Sequence, residues 1–371
     1  MKSRSATVAF LIPLILSCFF ACSKKSTEHH DKLILDPLLE AHVRGLIGKM
    51  TGALEPSDLL PVTQIEFAGY DPYTVSRVAD LTGLEYCVNL ETIILFGHRV
   101  SDLGPLANLD RLKSLWMGAN LIADLSHLSN SPALSVLDLK YNPIDNLQPL
   151  TEITTLEYLY LDRIQVADIT PLAGLTILKR LSLVENQITD ISALSDMIDL
   201  EDLHLRDNNV TDISALSGLV QAKRLDLSNN QVADLNPLTE LGNLEYLNLT
   251  NNDVAEISAL AGQNKMKDLY LYQNEISDIS AIAGMSNLRT LSLSDNHVSD
   301  LNALAELKEL TFLYLDNNAV TDIFPLVQNC NDGGMAAPTQ IWLYNNPLSP
   351  QSIDEYIPIL EDHGIRVYYT H

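Results

Sequence analysis

The sequence predicts an α/β solenoid: a horseshoe with a concave parallel β-sheet, short helical turns on the convex side, a helical N-terminal cap and a helix-strand C-terminal cap. Two features of the chain point there. The pattern L-x-x-L-x-L-x-x-N-x-I/V-x-D-I/L-x-x-L-x-x-L recurs every 22 residues, and the flanking segments depart from it as the ends of a repeat array must. The asparagine slot falls at 98, 120, 142, 164, 186, 208, 230, 252, 274, 296 and 318, ten steps of 22 with no insertion or deletion.

Ahead of the array, Lys2 and Arg4 precede an apolar run from Ala6 to Phe20, and polar Ser23, Lys24 and Lys25 follow it. A run of 15 residues is short for a membrane span and has the length of a signal-peptide core. The segment resembles a bacterial lipoprotein signal, in which a cysteine is acylated and becomes the first mature residue. Cys22, after Ala21, is the expected lipidation site, with Cys18 as the second candidate. Residues 1–21 are then the signal peptide and 22–33 a tether. Cleavage before Cys22 removes two bases and no acid, moving the net charge from -25 to -27. Anionic headgroups repel so acidic a chain, which leaves the N-terminal lipid as its membrane contact.

Residues 34–67 are the expected N-terminal cap. Asp36 and Pro37 have the character of an N-cap and a first helical residue, and Leu38, Leu39, Val43, Leu46 and Ile47 share one face of a helix ending near Gly52. Val62, Ile65 and Phe67 begin a first strand. The repeats, residues 68–329, open with a coil six residues longer than the rest, in which Cys87 takes a leucine position and belongs in the core.

Inside a repeat, Leu203 and Leu205 are two apart and share one face of a short strand, so residues 202, 204 and 206 face solvent. The asparagine stands where the chain leaves the strand and turns inward, and its amide can satisfy buried backbone groups of neighbouring coils. His98 and Ile164 are the two slots without asparagine. Ile164 can form no such bonds, which predicts a local irregularity in its coil. Four positions past the slot stands an acid in every repeat but that of Asn146, as at Asp190 and Asp212, able to accept from the amides of a following helical turn.

Residues 330–371 are the expected last repeat and C-terminal cap. The slot jumps from 318 to Asn346, placing six extra residues near Asp332, Gly333 and Gly334. Ser349 and Pro350 then open a helix to about Asp362, Gly364 stops it, and Ile365 to Tyr369 form a final edge strand.

Repeats and caps together resemble bacterial leucine-rich-repeat proteins of the internalin type, and the ending NPLSPQSIDEYIPILEDHGIRV is similar to the closing segment of many such domains. The likeness spans roughly residues 33 to 369. A wall-sorting signal and a trailing immunoglobulin-like domain, both usual in internalins, are not found in the sequence. The resemblance therefore implies the horseshoe and a binding habit, not an invasion role or a particular receptor.

Composition narrows the partner. With 48 acids against 23 bases the chain offers no basic stripe for phosphates, which excludes nucleic acid. The strand positions six, four and two residues before each slot line the concave face, and they hold Phe96, Trp116, Tyr158, Tyr160, Tyr246, Tyr270, Tyr272, Phe312, Tyr314, Trp342 and Tyr344. These aromatics form two clusters, one toward each end. Between them stand Arg180, Asp202, His204, Arg206, Arg224 and Asp226. Clustered exposed aromatics are what protein interfaces enrich, although aromatics also suit a sheet surface by packing across strands.

His204 and Arg206 beside Asp202 and Asp226 are the nearest approach to an acid-base cluster. The sequence has no nucleophile elbow, phosphate loop or His-Glu-x-x-His, and a shallow groove lacks the desolvation that tuned acids and bases need. No cofactor and no metal site is expected. The expectation is a non-enzymatic binding protein, lipid-anchored at the outer membrane or cell surface, whose partner-binding residues are the eleven aromatics with Arg180, His204, Arg206 and Arg224. Its ligand is a protein, with a cell-envelope glycan, or a place in an envelope complex, as the alternatives.

Overall fold

The computed structural model describes residues 32–67 and 77–370, so Cys18, Cys22 and most of the tether lie outside the described residues. One sheet of 14 strands, all parallel and in chain order, runs the length of the molecule. Its first half is β1 (Gln64–Glu66), β2 (Thr92–Ile94), β3 (Ser114–Trp116), β4 (Val136–Asp138), β5 (Tyr158–Tyr160), β6 (Arg180–Ser182) and β7 (Asp202–His204). The second is β8 (Arg224–Asp226), β9 (Tyr246–Asn248), β10 (Asp268–Tyr270), β11 (Thr290–Ser292), β12 (Phe312–Tyr314), β13 (Gln340–Trp342) and β14 (Arg366–Tyr368). Within the array each residue pairs with the one 22 positions on, as Arg180 with Asp202 and Asp202 with Arg224. Near the ends the step is longer, 28 from Gln64 to Thr92 and from Phe312 to Gln340 and 26 from Gln340 to Arg366.

The leucine period explains the stack. Leu203 and Leu205 are 1% and 0% exposed and belong to one core that is continuous from Ile34 to Ile365. Burying one such side chain is worth roughly 2 kcal/mol, yet no single coil can close a core around its own leucines. Short 3-10 turns such as Thr170–Leu172 and Ser192–Leu194 complete the coils opposite the sheet. The acid column caps them as expected: Asp168 Oδ1 accepts the Thr170 amide at 2.9 Å and Asp190 Oδ1 the Ser192 amide at 2.8 Å.

The asparagine ladder is present in full geometry. Asn208 Nδ2 donates to the carbonyls of Leu183 and Leu205, each at 2.9 Å, and Oδ1 accepts the Ile188 amide at 3.0 Å, tying its coil to the preceding one. His98 does the same work with an imidazole: Nδ1 accepts the Val78 amide and Nε2 donates to the Phe67 carbonyl, each at 3.1 Å. At Ile164 the expected irregularity appears. Arg163 is left-handed like the residue before every other slot, but Gln165 takes that conformation as well, with φ of 63°, and Asn186 Oδ1 accepts from both Ile164 and Val166.

At the front, α1 (Pro37–Ile47) is capped by Asp36, which accepts from the amides of Leu38 and Leu39. The helix ends sooner than the sequence suggests, because Gly48 adopts φ 70° and closes it. Leu39 and Val43 are buried, whereas Leu46 is 51% exposed and not on the core face. At the back, α2 (Phe324–Asn331) replaces a short turn and absorbs part of the extra length. A π-helical turn at Ser352–Tyr356 leads into α3 (Ile357–Asp362), and β14 pairs with β13 as the last strand. Among the described residues no helix is long and apolar enough to cross a membrane.

Candidate functional site

Each strand is three residues long, with an aliphatic in the middle that is buried in β1 to β13 and half-buried in β14, and its two outer residues on the concave face. The residues expected six and four before each slot are those outer pairs. Phe96, Arg206, Tyr272 and Tyr344 follow two residues past a strand end. Alternation thus turns a run of sequence into one surface.

Toward the N-terminal end, Phe96 rests on Gly118, where a Cβ would come within 2.8 Å of the ring. Trp116 and Tyr160 come from strands two apart and stack at 5.7 Å between centroids. The strand between them carries Asp138, only 2% exposed, with its carboxylate 3.1 Å from Lys140 Nζ. Burial pushes the Asp138 pKa up, against the pull of Lys140. Lys140 lies 5.4 Å from the Tyr160 ring centroid.

At the centre, Asp202 is the hub. Arg180 on the preceding strand donates to its carboxylate, His204 Nε2 lies 2.8 Å away and Arg224 Nε 4.0 Å away. Burial alone would raise the Asp202 pKa, but hydrogen bonds and charge from His204 and Arg180 outweigh it and hold the carboxylate below its ordinary range. Arg206 lies apart from this group, 3.7 Å from Glu185 and 3.5 Å from Asp207. Tyr158 lines the groove that Arg180 and Arg224 border.

Beyond the centre, Arg224 sits over Tyr246 at 4.3 Å, and Tyr246 packs on Tyr270 at 5.6 Å. Farther on, Tyr314 stacks on Trp342 at 4.3 Å and Trp342 on Tyr368 at 5.1 Å, both nearly parallel. Tyr272, Phe312 and Tyr344 are the open members, at 38%, 36% and 39% exposed. The two aromatic clusters remain separate: Tyr160 on β5 and Tyr246 on β9 are four strand steps apart, about 19 Å at the usual spacing.

Several features of this surface escaped the sequence reading. Tyr368 extends the aromatic stack because β14 adds a further outer pair. Along one margin, glutamate and lysine alternate from coil to coil, with Lys179–Glu157, Lys223–Glu201 and Lys267–Glu245 pairs each at 2.6 Å. These exposed pairs contribute little apiece, but their alternation at a step of 22 was there to be found. Along the other margin, the residue before each slot is left-handed, as at Asp207, Asn229 and Asn251 with φ of 55–57°, a conformation that Asn and Asp tolerate best.

Comparison with known proteins agrees with this geometry. The family model described as leucine rich repeat matches residues 242–298 and 278–320, and the two-copy leucine-rich-repeat model matches 88–130 and 178–218. No curated protein sequence matches the chain. Among solved structures, an internalin from Listeria monocytogenes is 29% identical with a TM-score of 0.71, covering 92% of each chain. A leucine-rich-repeat protein from Leptospira interrogans is 20% identical with a TM-score of 0.66, over 80% of this chain and 82% of that one. The leucine-rich-repeat ectodomain of a receptor kinase from Arabidopsis thaliana, solved in complex with a Casparian strip integrity factor, is 19% identical with a TM-score of 0.58, over 78% of this chain and 39% of that one. The chain carries leucine-rich repeats and folds as a leucine-rich-repeat solenoid, with a likeness to a Listeria internalin that spans nearly its whole length.

Proposed function

We propose that this chain is a non-enzymatic binding protein of the cell surface that recognises a protein partner through the concave face of its repeats. The observation that carries the proposal is the gathering of eleven aromatics on that one face, with Tyr272, Phe312 and Tyr344 standing 36–39% exposed. Aromatic side chains bury large area on contact while freezing few rotors, which is why they dominate interface energetics. The Arabidopsis ectodomain of the same fold, solved with its bound factor, supports a protein as ligand. Both faces of Trp342 are taken by Tyr314 and Tyr368, so its ring offers no flat platform for a sugar, which favours protein over glycan. The proposal includes export and lipidation at Cys22, which would hold the horseshoe at the outer membrane or cell surface.

The test is a triple variant, Tyr272→Ala with Phe312→Ala and Tyr344→Ala. Capture of the partner from surface extracts should fall by more than about tenfold while thermal unfolding stays near wild type. Unchanged capture overturns the assigned face, and loss of signal on a glycan array alone assigns the surface to a sugar.

A further inference from the structure

Building on the protein-binding function above, we propose that β6 to β8 take an acidic segment of the partner, its carboxylates held by the guanidinium groups of Arg180 and Arg224. A groove of about 580 Å³ lies here, lined by Tyr158, Glu201, Asp202 and the consecutive pairs Lys179–Arg180 and Lys223–Arg224. Lys179 is paired with Glu157 and Lys223 with Glu201, which leaves Arg180 and Arg224 over Asp202 on a chain whose net charge is -25.

Depth separates Asp202 from the two arginines, while Glu201, 46% exposed, shares the rim with them. The Asp202 side chain is 8% exposed, whereas Arg180 and Arg224 are 41% and 48% exposed. The Asp202 carboxylate is therefore the floor and the guanidinium groups stand above it, so an incoming ligand reaches them before it reaches Asp202. Glu201 is already engaged by Lys223 at 2.6 Å. Arg224 Nε is 4.0 Å from Asp202, too long for a hydrogen bond, and its guanidinium lies over the Tyr246 ring at 4.3 Å. Stacking holds the guanidinium in position and leaves its edge donors for a planar, bidentate carboxylate.

The surroundings select a short acidic spot rather than a polyanion. Asp162 flanks the groove on one side and Asp268 and Asp316 on the other, each on or just past a strand of the concave face. An extended acidic glycan would carry its charge onto those carboxylates. A peptide segment with one or two acidic residues between apolar ones would instead set its charge on the rim and its apolar side chains against the Trp116–Tyr160 and Tyr246–Tyr270 pairs. Repulsion from the rest of the acidic surface penalises any other register.

Selection of a random peptide phage library on the full mature chain tests this, run beside the Arg180→Gln/Arg224→Gln variant and the aromatic triple variant. Peptides selected on wild type should be enriched in Asp and Glu flanked by apolar residues. They should bind the arginine variant roughly tenfold or more weakly, and the loss should shrink at high salt. Thermal unfolding of the arginine variant checks that it is folded. Selected peptides without acidic enrichment that still depend on Tyr272, Phe312 and Tyr344 overturn this inference and leave the concave binding face standing. Peptides indifferent to both variants overturn the face itself. Acidic enrichment that persists on the arginine variant, or binding of polygalacturonate in place of any acidic peptide, removes the assignment to Arg180 and Arg224 or to a protein segment.

Discussion

His98 Nδ1 accepts the Val78 amide at 3.1 Å, which requires a neutral imidazole whose proton sits on Nε2. Burial lowers the His98 pKa from its ordinary 6.5; the Phe67 carbonyl opposes this, Arg77 adds to it and Asp36 opposes it. His42 is lowered by burial as well. Both histidines therefore take up protons more readily in the unfolded chain, so this share of stability is full above about pH 6.5 and is lost as pH falls below it. His98→Asn supplies the same donor and acceptor without a titrating group. Its melting temperature should drop less between pH 7 and pH 5 than that of the wild type, and equal drops would falsify the role of His98 as a proton-sensitive rung.

What could be read in the sequence was what repeats at a step of 22. The ladder was legible because buried backbone groups demand the chemistry of an amide at one position per coil, and Ile164 could be singled out because it lacks that chemistry. The Asp202 hub was legible only in part. Its partners Arg180 and Arg224 stand 22 residues to either side and meet it through strand pairing, so neighbours along the chain did not announce them. The Trp116–Tyr160 stack was hidden for a different reason: it reaches over a strand whose Asp138 is small enough to be covered. Leu46 misled because helical periodicity places it with Leu39 and Val43, while the left-handed Gly48 ends the helix before that face is covered.

Asn208→Ala isolates the energetic role of one rung. It leaves the Leu183 and Leu205 carbonyls and the Ile188 amide without their side-chain partner in a site where Asn208 is 7% exposed. A cost of about 1 to 3 kcal/mol follows from the orphaned groups. Urea denaturation reads it directly. Because coils stabilise each other only through neighbours, the same change should also broaden the transition. A midpoint and slope equal to wild type would show that the ladder is decorative.

The two described cysteines should be silent in the native protein. Burial pushes the Cys87 thiol up to about 12, with Glu85 adding to the effect, and Cys330 up to about 11. At pH 8 the thiolate fraction of Cys87 is then on the order of one in ten thousand, and the side chain is 0% exposed. A maleimide reagent should leave both unlabelled under native conditions and label both in urea. Native labelling of Cys87 at the rate of an exposed thiol would mean that the first coil opens on its own.

The proposed lipid site is tied to the horseshoe by a short piece of chain. Ile34 is fully buried, and Gly83, at φ 102°, seats it: a Cβ there would come within 2.3 Å of the Leu33 carbonyl oxygen. From Cys22 to that anchor the chain can reach at most about 40 Å, enough for the acidic solenoid to stand clear of anionic headgroups. Cys22→Ser should therefore release the protein from membranes into the soluble fraction while its melting temperature stays unchanged, since residue 22 precedes the core. Retention on membranes would point to Cys18 or to an uncleaved leader. Gly83→Ala should do the opposite, keeping the protein on the membrane but loosening the seat of Ile34 at a cost of about 1 to 3 kcal/mol. Membrane fractionation and thermal unfolding of the two variants side by side separate attachment from folding.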